Sequence, residues 1–359
     1  MIVKNEAEVI RRCLDSVLGL IDTWLVLDTG STDETQEVIR DHLHAIPGVL
    51  QSKPWRDFGH NRSQALLLAR GMADYTLIMD ADDSLEIEAG FKMPDLSASA
   101  YSLDIINGGT RFSRPQLISN ALPWRYEGVL HEYLTCSDPH DHAHLAGLRI
   151  RQNHDGARRK DPDTYRRDAL VLEDALRLAT DPFLISRYRF YLAQSYRDAG
   201  DPAKALENYR LRAELGFWPE EVFISLYQAA QLMETLQHSQ RAVIDTYLRA
   251  TTAFPSRAEA LHGASRFCRL KGRHEEGFQL AKRGLAISRP ADGLFMEDWI
   301  YAFGLLDELA VNGYWSGHHH ESLQASLKLL SDPDCPPEYR ARFAANAFCS
   351  LEKLRQATD

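Results

Sequence analysis

An α/β domain followed by an all-α domain is the architecture that this 359-residue sequence predicts, and three observations predict it. Short apolar, β-prone runs alternate with helical patterns over roughly the first 80 residues. Strand signals then become irregular and stop by Asp163. From there, amphipathic helical patterns punctuated by Gly and Pro continue to the end of the chain. Alternation of the first kind implies a mostly parallel sheet with right-handed crossovers. An unbroken run of helices implies a stack. The expected domains are 1–157 and 158–359.

Composition bounds the function classes. With 44% hydrophobic and 26% charged residues, the chain holds enough apolar material for a core in each half. A formal net charge of -10 disfavours a nucleic-acid partner, because such binding draws on a surplus of Lys and Arg. The longest basic run, Arg158-Arg159-Lys160, meets Asp161 at once and reads as a solvated linker face. Cys13, Cys136, Cys268, Cys335 and Cys349 stand singly, with neither zinc-site spacing nor a disulfide framework. No stretch of about 18 apolar residues occurs and the opening residues lack a signal-peptide pattern. A soluble cytoplasmic protein without a transmembrane segment is expected.

Ile2-Val3 is a very short first strand, followed by a helical pattern in which Val9, Ile10, Cys13, Leu14, Val17 and Leu18 recur at threes and fours. Trp24 to Asp28 is a second apolar run, ending in a carboxylate. It passes into Thr29-Gly30-Ser31-Thr32-Asp33-Glu34. There Gly30 permits a tight turn, Ser31 or Thr32 is placed to cap the next helix, and Asp33 and Glu34 suit its dipole. Val38, Ile39 and Leu43 continue that helix to the Pro47-Gly48 breaker. Val49-Leu50 is a third strand, and residues 58–72 form a third helix with Ala65, Leu66, Ala69 and Met72 on one face. Tyr75 to Asp80 is the fourth strand, almost continuously apolar, as a strand covered on both faces should be.

This fourth strand runs straight into Asp80-Ala81-Asp82-Asp83. Carboxylates two residues apart raise one another's pKa unless a cation, or donors such as ribose hydroxyls, lie between them. Open α/β sheets also bind ligands beyond the carboxyl ends of their strands. A nucleotide and metal site is one reading of the cluster, and a solvated acidic turn is the other. Asp28, ending the second strand, is expected to point into the same crevice or else to cap a helix.

Lys4-Asn5-Glu6, the Asp28 to Asp33 segment, Phe58-Gly59-His60-Asn61-Arg62 and Asp80-Ala81-Asp82-Asp83 occur in the order and approximate spacing of family 2 glycosyltransferases of the GT-A fold. Roughly the first 155 residues resemble that family. Typical members have a longer first strand, so the chain looks clipped at its N-terminus. The resemblance implies a metal-dependent, inverting transfer of a sugar from a nucleotide donor, with a UDP-sugar as the donor class. The acceptor, whether glycan, peptide or small molecule, stays unidentified. Asn5, Glu6 and Asp28 are implied to lie around the nucleotide base, with Asp28 accepting from a base N–H. Arg62 is implied to help hold the nucleotide, Asp80 to face the ribose, and Asp82 to coordinate Mn2+ or Mg2+. Breaking a sugar–phosphate bond develops charge on the diphosphate, which a hard cation held by oxygen ligands stabilises.

After Asp83, Tyr101 to Ile106 alternates as a strand, Asn107-Gly108-Gly109 reads as a turn, and residues 111–118 as the returning strand. The stretch Trp124-Arg125-Tyr126-Glu127 through His131-Glu132 is dense in aromatic and ionisable side chains. It suits a sugar platform, or alternatively a buried aromatic β segment with paired charges. Inverting transfer needs a base to take the acceptor proton. The similarity to enzymes that place an acidic base after the DxD motif, and a metal-binding histidine some twenty residues later, assigns the base to Glu132 and the histidine to His154. Glu127 and His131 compete with Glu132 for that role.

In the second half, Leu192, Ala193, Tyr196, Gly200, Ala205 and Tyr209 fall close to the tetratricopeptide pattern of about 34 residues, with small residues where paired helices cross. Residues 261–285, turning at Gly272, are a weaker copy. Further helices are expected at 222–236, 241–253, 295–311, 322–330 and 338–354, and Gly317-His318-His319-His320 reads as an exposed loop. Such a stack suits acceptor recognition, homo-oligomerisation or simple buttressing of the first domain. Two other functional readings stay open: a nucleotidyltransferase-like enzyme, and an interaction scaffold whose GT-A domain is degenerate.

Overall fold

A computed structural model describes residues 1–108 and 110–357. It divides into two compact units, Met1–Ala175 and Leu176–Asp359. The expected turn at Asn107-Gly108-Gly109 lies partly outside the described residues, since Gly109 is not among them.

The first unit is α/β. Strands β1 (Ile2–Val3), β2 (Trp24–Asp28) and β3 (Gly48–Ser52) form a parallel sheet in the order β1-β2-β3. Helix α1 (Ile10–Val17) joins β1 to β2, and α2 (Thr35–His42) joins β2 to β3, as parallel neighbours require. Val3, Ile10, Leu14, Val26, Ile39 and Leu43 bury the two helices on this sheet, and Ala81 completes the cluster. Gly48 is needed where it stands, because a Cβ would lie 2.3 Å from the Trp24 ring. Ser31 and Thr32 do not cap α2. Its first N–H groups are met instead by Asp33, whose Oδ1 accepts from Thr35 N at 3.1 Å, while Ser31 Oγ accepts from Asn5 N at 3.0 Å.

Helix α3 (Phe58–Ala69) ends three residues short of the expected 72 and is capped by Asp57, which accepts from His60 N at 2.7 Å. Strand β4 (Tyr75–Leu77) departs from the mostly parallel arrangement expected of it. It joins β5 (Asp83–Ile87), β6 (Ala100–Asn107), β7 (Thr110–Ser119) and β10 (His142–Gln152) in a second sheet of order β4-β7-β6-β10-β5, in which only β10 and β6 run parallel. For β6 and β7 the cause is connectivity: only two residues separate the strands, and so short a connection permits only antiparallel pairing. β8 (Arg125–Glu127) and β9 (Tyr133–Thr135) form a separate hairpin.

Cys13 and Val17 of α1 pack against Leu85, Leu103, Leu117 and Ile150 of the second sheet. Leu66 of α3 packs with Ile78, Ala100, Ile118 and Trp124. Trp124 is therefore core, 7% exposed, and the sugar-platform reading fails for it.

Helix α4 (Thr164–Leu178) leads into the second unit, built from α5 (Pro182–Asp198), α6 (Pro202–Ala213), α7 (Pro219–Thr235), α8 (Gln240–Ala253), α9 (Glu259–Leu270), α10 (His274–Leu285), α11 (Leu305–Trp315), α12 (His319–Ser331) and α13 (Pro337–Gln356). From α5 to α13 each helix packs against the next, as in a solenoid. Small residues mark the crossings: a Cβ would lie 2.6 Å from Tyr247 at Gly263 and 2.4 Å from Leu305 at Gly284. The helix expected from residue 295 begins later, as a π-turn at Ile300–Gly304, because Phe295 is held at φ 50°. The expected histidine loop is also corrected. His319 and His320 open α12, and His318 bonds Glu275 at 2.8 Å and stacks on Phe278.

Candidate functional site

The acidic run is a tight turn between β4 and β5, closed by the Asp83 N–H donating to the Asp80 carbonyl at 3.2 Å. Its three carboxylates meet different surroundings. Asp80 faces Arg62 of α3, whose Nη2 is 2.6 Å from its Oδ1, with Arg114 of β7 at 4.0 Å. Burial alone pushes the Asp80 carboxyl up, yet the two guanidinium groups hold it below the usual range. Asp83 is 2% exposed, and burial together with repulsion from Asp80 and Asp82 pushes it up to about 8. Its protonated form is thereby favoured well above the usual carboxylate range. Asp82 remains as the carboxylate that projects from the turn.

Arg62 also brings in the expected base. Its Nε lies 2.7 Å from Glu132 Oε1, an ion pair whose angle falls short of a good hydrogen bond, and the guanidinium packs over the Tyr126 ring at 5.6 Å. The Arg62, Asp80 and Glu132 side chains are 15%, 29% and 11% exposed, so the network is largely out of water. Glu127, the competing base, is engaged otherwise. Tyr133 Oη donates to it at 2.7 Å and Arg125 at 2.6 Å, and these bonds hold its carboxyl below the usual range.

Around β2, Asn5 stands at φ 58° and its Oδ1 accepts from Thr32 N at 2.7 Å. The Glu6 N–H donates to Thr35 Oγ1 at 2.8 Å. Asp28 is fully buried; its Oδ1 accepts from Gly30 N at 2.9 Å and Ser31 N at 3.0 Å. Burial pushes this carboxyl up, but the Ser31 and Gly30 bonds prevail and hold it low. Asp28 Oδ2 has no well-formed hydrogen bond among the described residues, although the Ser31 and Gln36 side chains lie close enough to help hold the carboxyl low.

Glu6 links this loop to the acidic turn. A Cβ at Gly156 would lie 3.0 Å from Asp82 Oδ2 and 3.2 Å from Glu6 Oε2, so the two carboxylates both approach the Gly156 backbone closely. Burial and the Asp82 charge push Glu6 up to about 7, with Ala157 N donating to it at 3.2 Å. His154, at φ 60°, places Nε2 2.6 Å from Asn107 Oδ1. The amide oxygen can only accept, so the ring proton sits on Nε2 and Nδ1 carries the lone pair. Burial and Arg159 lower its pKa, favouring the neutral ring that a metal ligand needs.

No group of three His, Cys, Asp or Glu side chains among the described residues is arranged to hold a metal. The donor set nonetheless fits a divalent cation of the Mg2+ or Mn2+ type. Such ions use one or two carboxylates together with substrate phosphate oxygens; the Asp82 carboxylate lies at Gly156, and His154 is near enough to feel its charge.

Arg12, Arg114 and Asn153 escaped sequence reasoning. Arg12 Nη2 and Asn153 Nδ2 both donate to the Asp82 carbonyl, at 2.7 and 2.9 Å. An apolar cavity of about 370 Å3, lined by Leu14, Trp24, Leu66 and Met72 among others, touches Arg62 and Tyr126 but no carboxylate of the acidic turn, and it is not the candidate site.

An α/β domain with polar and charged groups gathered at the carboxyl ends of β2 and β4 belongs to the class that binds ligands at those ends. Residues 1–151 match the family model of glycosyl transferase family 2, which identifies the first unit as a domain of that type. An uncharacterized glycosyltransferase of Rickettsia felis is 26% identical over 229 residues, covering 61% of this chain and 75% of that protein. A TPR repeat-containing protein of Synechococcus elongatus is 42% identical over 89 residues, 25% of this chain, and the match spans 21% of its length. A tetratricopeptide repeat protein of Parabacteroides merdae, of known structure, is 17% identical and covers 55% of this chain and 75% of its own, with a TM-score of 0.39. A family 2 glycosyltransferase domain followed by a tetratricopeptide-like stack is the resulting architecture. Among the described residues, no helix is long and apolar enough to cross a membrane.

Proposed function

We propose that the chain is an inverting, metal-dependent glycosyltransferase of the GT-A type that takes a UDP-sugar as donor, with residues 1–157 as the catalytic domain and 158–359 as a helical domain that assists acceptor recognition. The observation that carries this reading is Arg62 buried between Asp80 and Glu132. Three chain segments spend a cation and two anions on one spot that the core does not need. The family match supports the reaction class.

In this mechanism Asn5, Glu6 and Asp28 bind the nucleoside, and Asp28 Oδ2, which has no well-formed hydrogen bond among the described residues, accepts a base N–H. Asp80, oriented by Arg62, faces the ribose. Asp82 and His154 would hold a Mn2+ or Mg2+ ion, and that ion would supply positive charge against the diphosphate. Glu132 takes the acceptor proton as the acceptor attacks the anomeric carbon. Its Oε1 is turned to Arg62, so Oε2 receives that proton.

Thermal-shift titration with nucleotide sugars, with and without Mn2+, tests the donor. A donor at about 100 times its Kd stabilises by about 2.7 kcal/mol, a shift of roughly 5–11 °C for a unit of this size. Asp82→Ala should abolish the metal-dependent shift and donor hydrolysis while the fold survives. Unchanged hydrolysis in that variant would sink the metal assignment.

A further inference from the structure

The residues on either side of His154 are both tied to the same atom of the acidic turn. Asn153 Nδ2 donates to the Asp82 carbonyl at 2.9 Å and reaches Ser84 Oγ at 3.3 Å. Asp155 receives a two-pronged bond from Arg12, Nη1 to Oδ2 and Nη2 to Oδ1, each 2.7 Å. The same Nη2 donates to the Asp82 carbonyl at 2.7 Å. One guanidinium on α1 thus joins three segments that are far apart in sequence. Between its two tethered neighbours, His154 is held in the left-handed region, where a residue with a Cβ stays only when its surroundings insist on it.

Stability does not account for this arrangement. The Arg12 and Asp155 side chains are 40% and 45% exposed, and ion pairs in such surroundings contribute little to stability. What the clamp supplies is geometry. The Asp82 carbonyl is gripped from two directions, which limits how the Asp82 backbone turns and hence where its carboxylate points. The same two grips fix the backbone entering and leaving His154. A planar fork is required, because a single ammonium group cannot serve both Asp155 oxygens and the carbonyl at once.

We propose that Arg12 and Asn153 are positioning residues that lock Asp82 and His154 in register with one another, so that a divalent cation meets a preset pair of ligands. This rests on the site reading given above. It assigns a role to two residues outside the set of ligands, through hydrogen bonds to a ligand's own backbone. Groups that orient metal ligands in this way commonly change metal affinity by 10–100-fold when removed.

The test uses the full-length chain with UDP as the probe nucleotide. Mn2+ binding is followed by loss of the free-ion paramagnetic resonance signal, and amide hydrogen exchange is read over residues 80–84 and 152–156. Arg12→Ala and Asn153→Ala should each raise the Mn2+ dissociation constant about tenfold. Exchange should accelerate in both segments together, and the thermal midpoint should move by only a few degrees. Arg12→Lys should behave like Arg12→Ala, since charge without the fork does not restore the clamp. Mn2+ affinity within twofold of wild type in both alanine variants would overturn the proposal, as would exchange that rises in one segment alone or full rescue by lysine. If the wild-type protein itself binds no Mn2+, the site reading fails. The clamp is then judged by exchange: coupled loosening upholds it and uncoupled loosening overturns it.

Discussion

Replacing Arg62 by Met keeps the apolar stem and removes the charge between Asp80 and Glu132. In the wild type both carboxylates face the guanidinium at 2.6 and 2.7 Å in largely buried surroundings. Breaking a buried pair costs about 3–5 kcal/mol, because the partner charge stays behind uncompensated. Arg114, 4.0 Å from Asp80, offsets part of that loss, so the lower end, about 3 kcal/mol, is expected. For a unit of this size the midpoint of the first thermal transition should fall by about 6–12 °C at pH 7. The pH dependence follows from the direction of the Asp80 shift. Its folded-state pKa is depressed, so its contribution is present above the unfolded value near 3.9 and is lost as pH falls through the folded value. The gap between wild type and Arg62→Met should therefore be full at pH 7 and narrow below about pH 4. Calorimetry across that range measures it. A fall of less than about 2 °C at pH 7, or a gap that stays constant down to pH 3, would refute the claim that Arg62 is the charge on which this site is assembled.

Further measurements probe the base and the packing. Glu132→Gln should leave donor binding intact and cut transfer by about 100-fold or more, whereas Glu127→Gln, whose carboxyl is engaged by Arg125 and Tyr133, should keep transfer within a few-fold. The reverse order in initial-rate assays would move the base to Glu127. Gly59→Ala should destabilise the first unit by about 1–3 kcal/mol in urea, since its Cβ would lie 2.2 Å from the Gly128 carbonyl oxygen. A neutral or stabilising effect would contradict the close approach of α3 to the segment after β8. His262 is pushed down to about 3 by burial and by Arg266 and Arg269. The unfolded chain binds its proton first, so the second unit should lose up to about 1.4 kcal/mol per pH unit as pH falls below about 6.5. His262→Gln should flatten that slope, and an unchanged slope would place the acid sensitivity elsewhere.

Much of the first unit was legible because local signals sufficed. The β1-β2-β3 segment alternates apolar strands with helices short enough to demand parallel crossovers. Asp28 ends β2, Arg62 lies within α3, and Asp80 follows β4. β5 was missed because Asp83-Ser84-Leu85-Glu86-Ile87 begins with a buried carboxyl where its apolar face starts. A buried Asp at an inward position looks polar until its protonation is known. Arg12, Arg114 and Asn153 carried no local signal at all. Arg12 matters through partners 70 and 143 residues away, and no spacing rule covers such pairs. In the second unit, helix patterns alone located the stack. The polar links within it, such as Arg212 to Glu221 at 2.9 Å with both side chains buried, depend on which helices cross.

The run Asp80-Ala81-Asp82-Asp83 shows what the fold adds to composition. In the sequence the three carboxylates are chemically alike, and their mutual repulsion is the reason to suspect a cation. The folded chain answers that repulsion in three ways. Asp80 is neutralised by Arg62 and Arg114. Asp83 is pushed toward its protonated form because burial and its neighbours make its charge costly. Among the described residues, the Asp82 carboxylate gains no such partner; its backbone carbonyl is gripped by Arg12 and Asn153, and its side chain meets Glu6 across Gly156. Two of the three charges are settled within the protein, so Asp82 is the carboxylate that the proposed function assigns to a cation. This selection required α1, α3, β7 and the segment after β10 to converge on one turn.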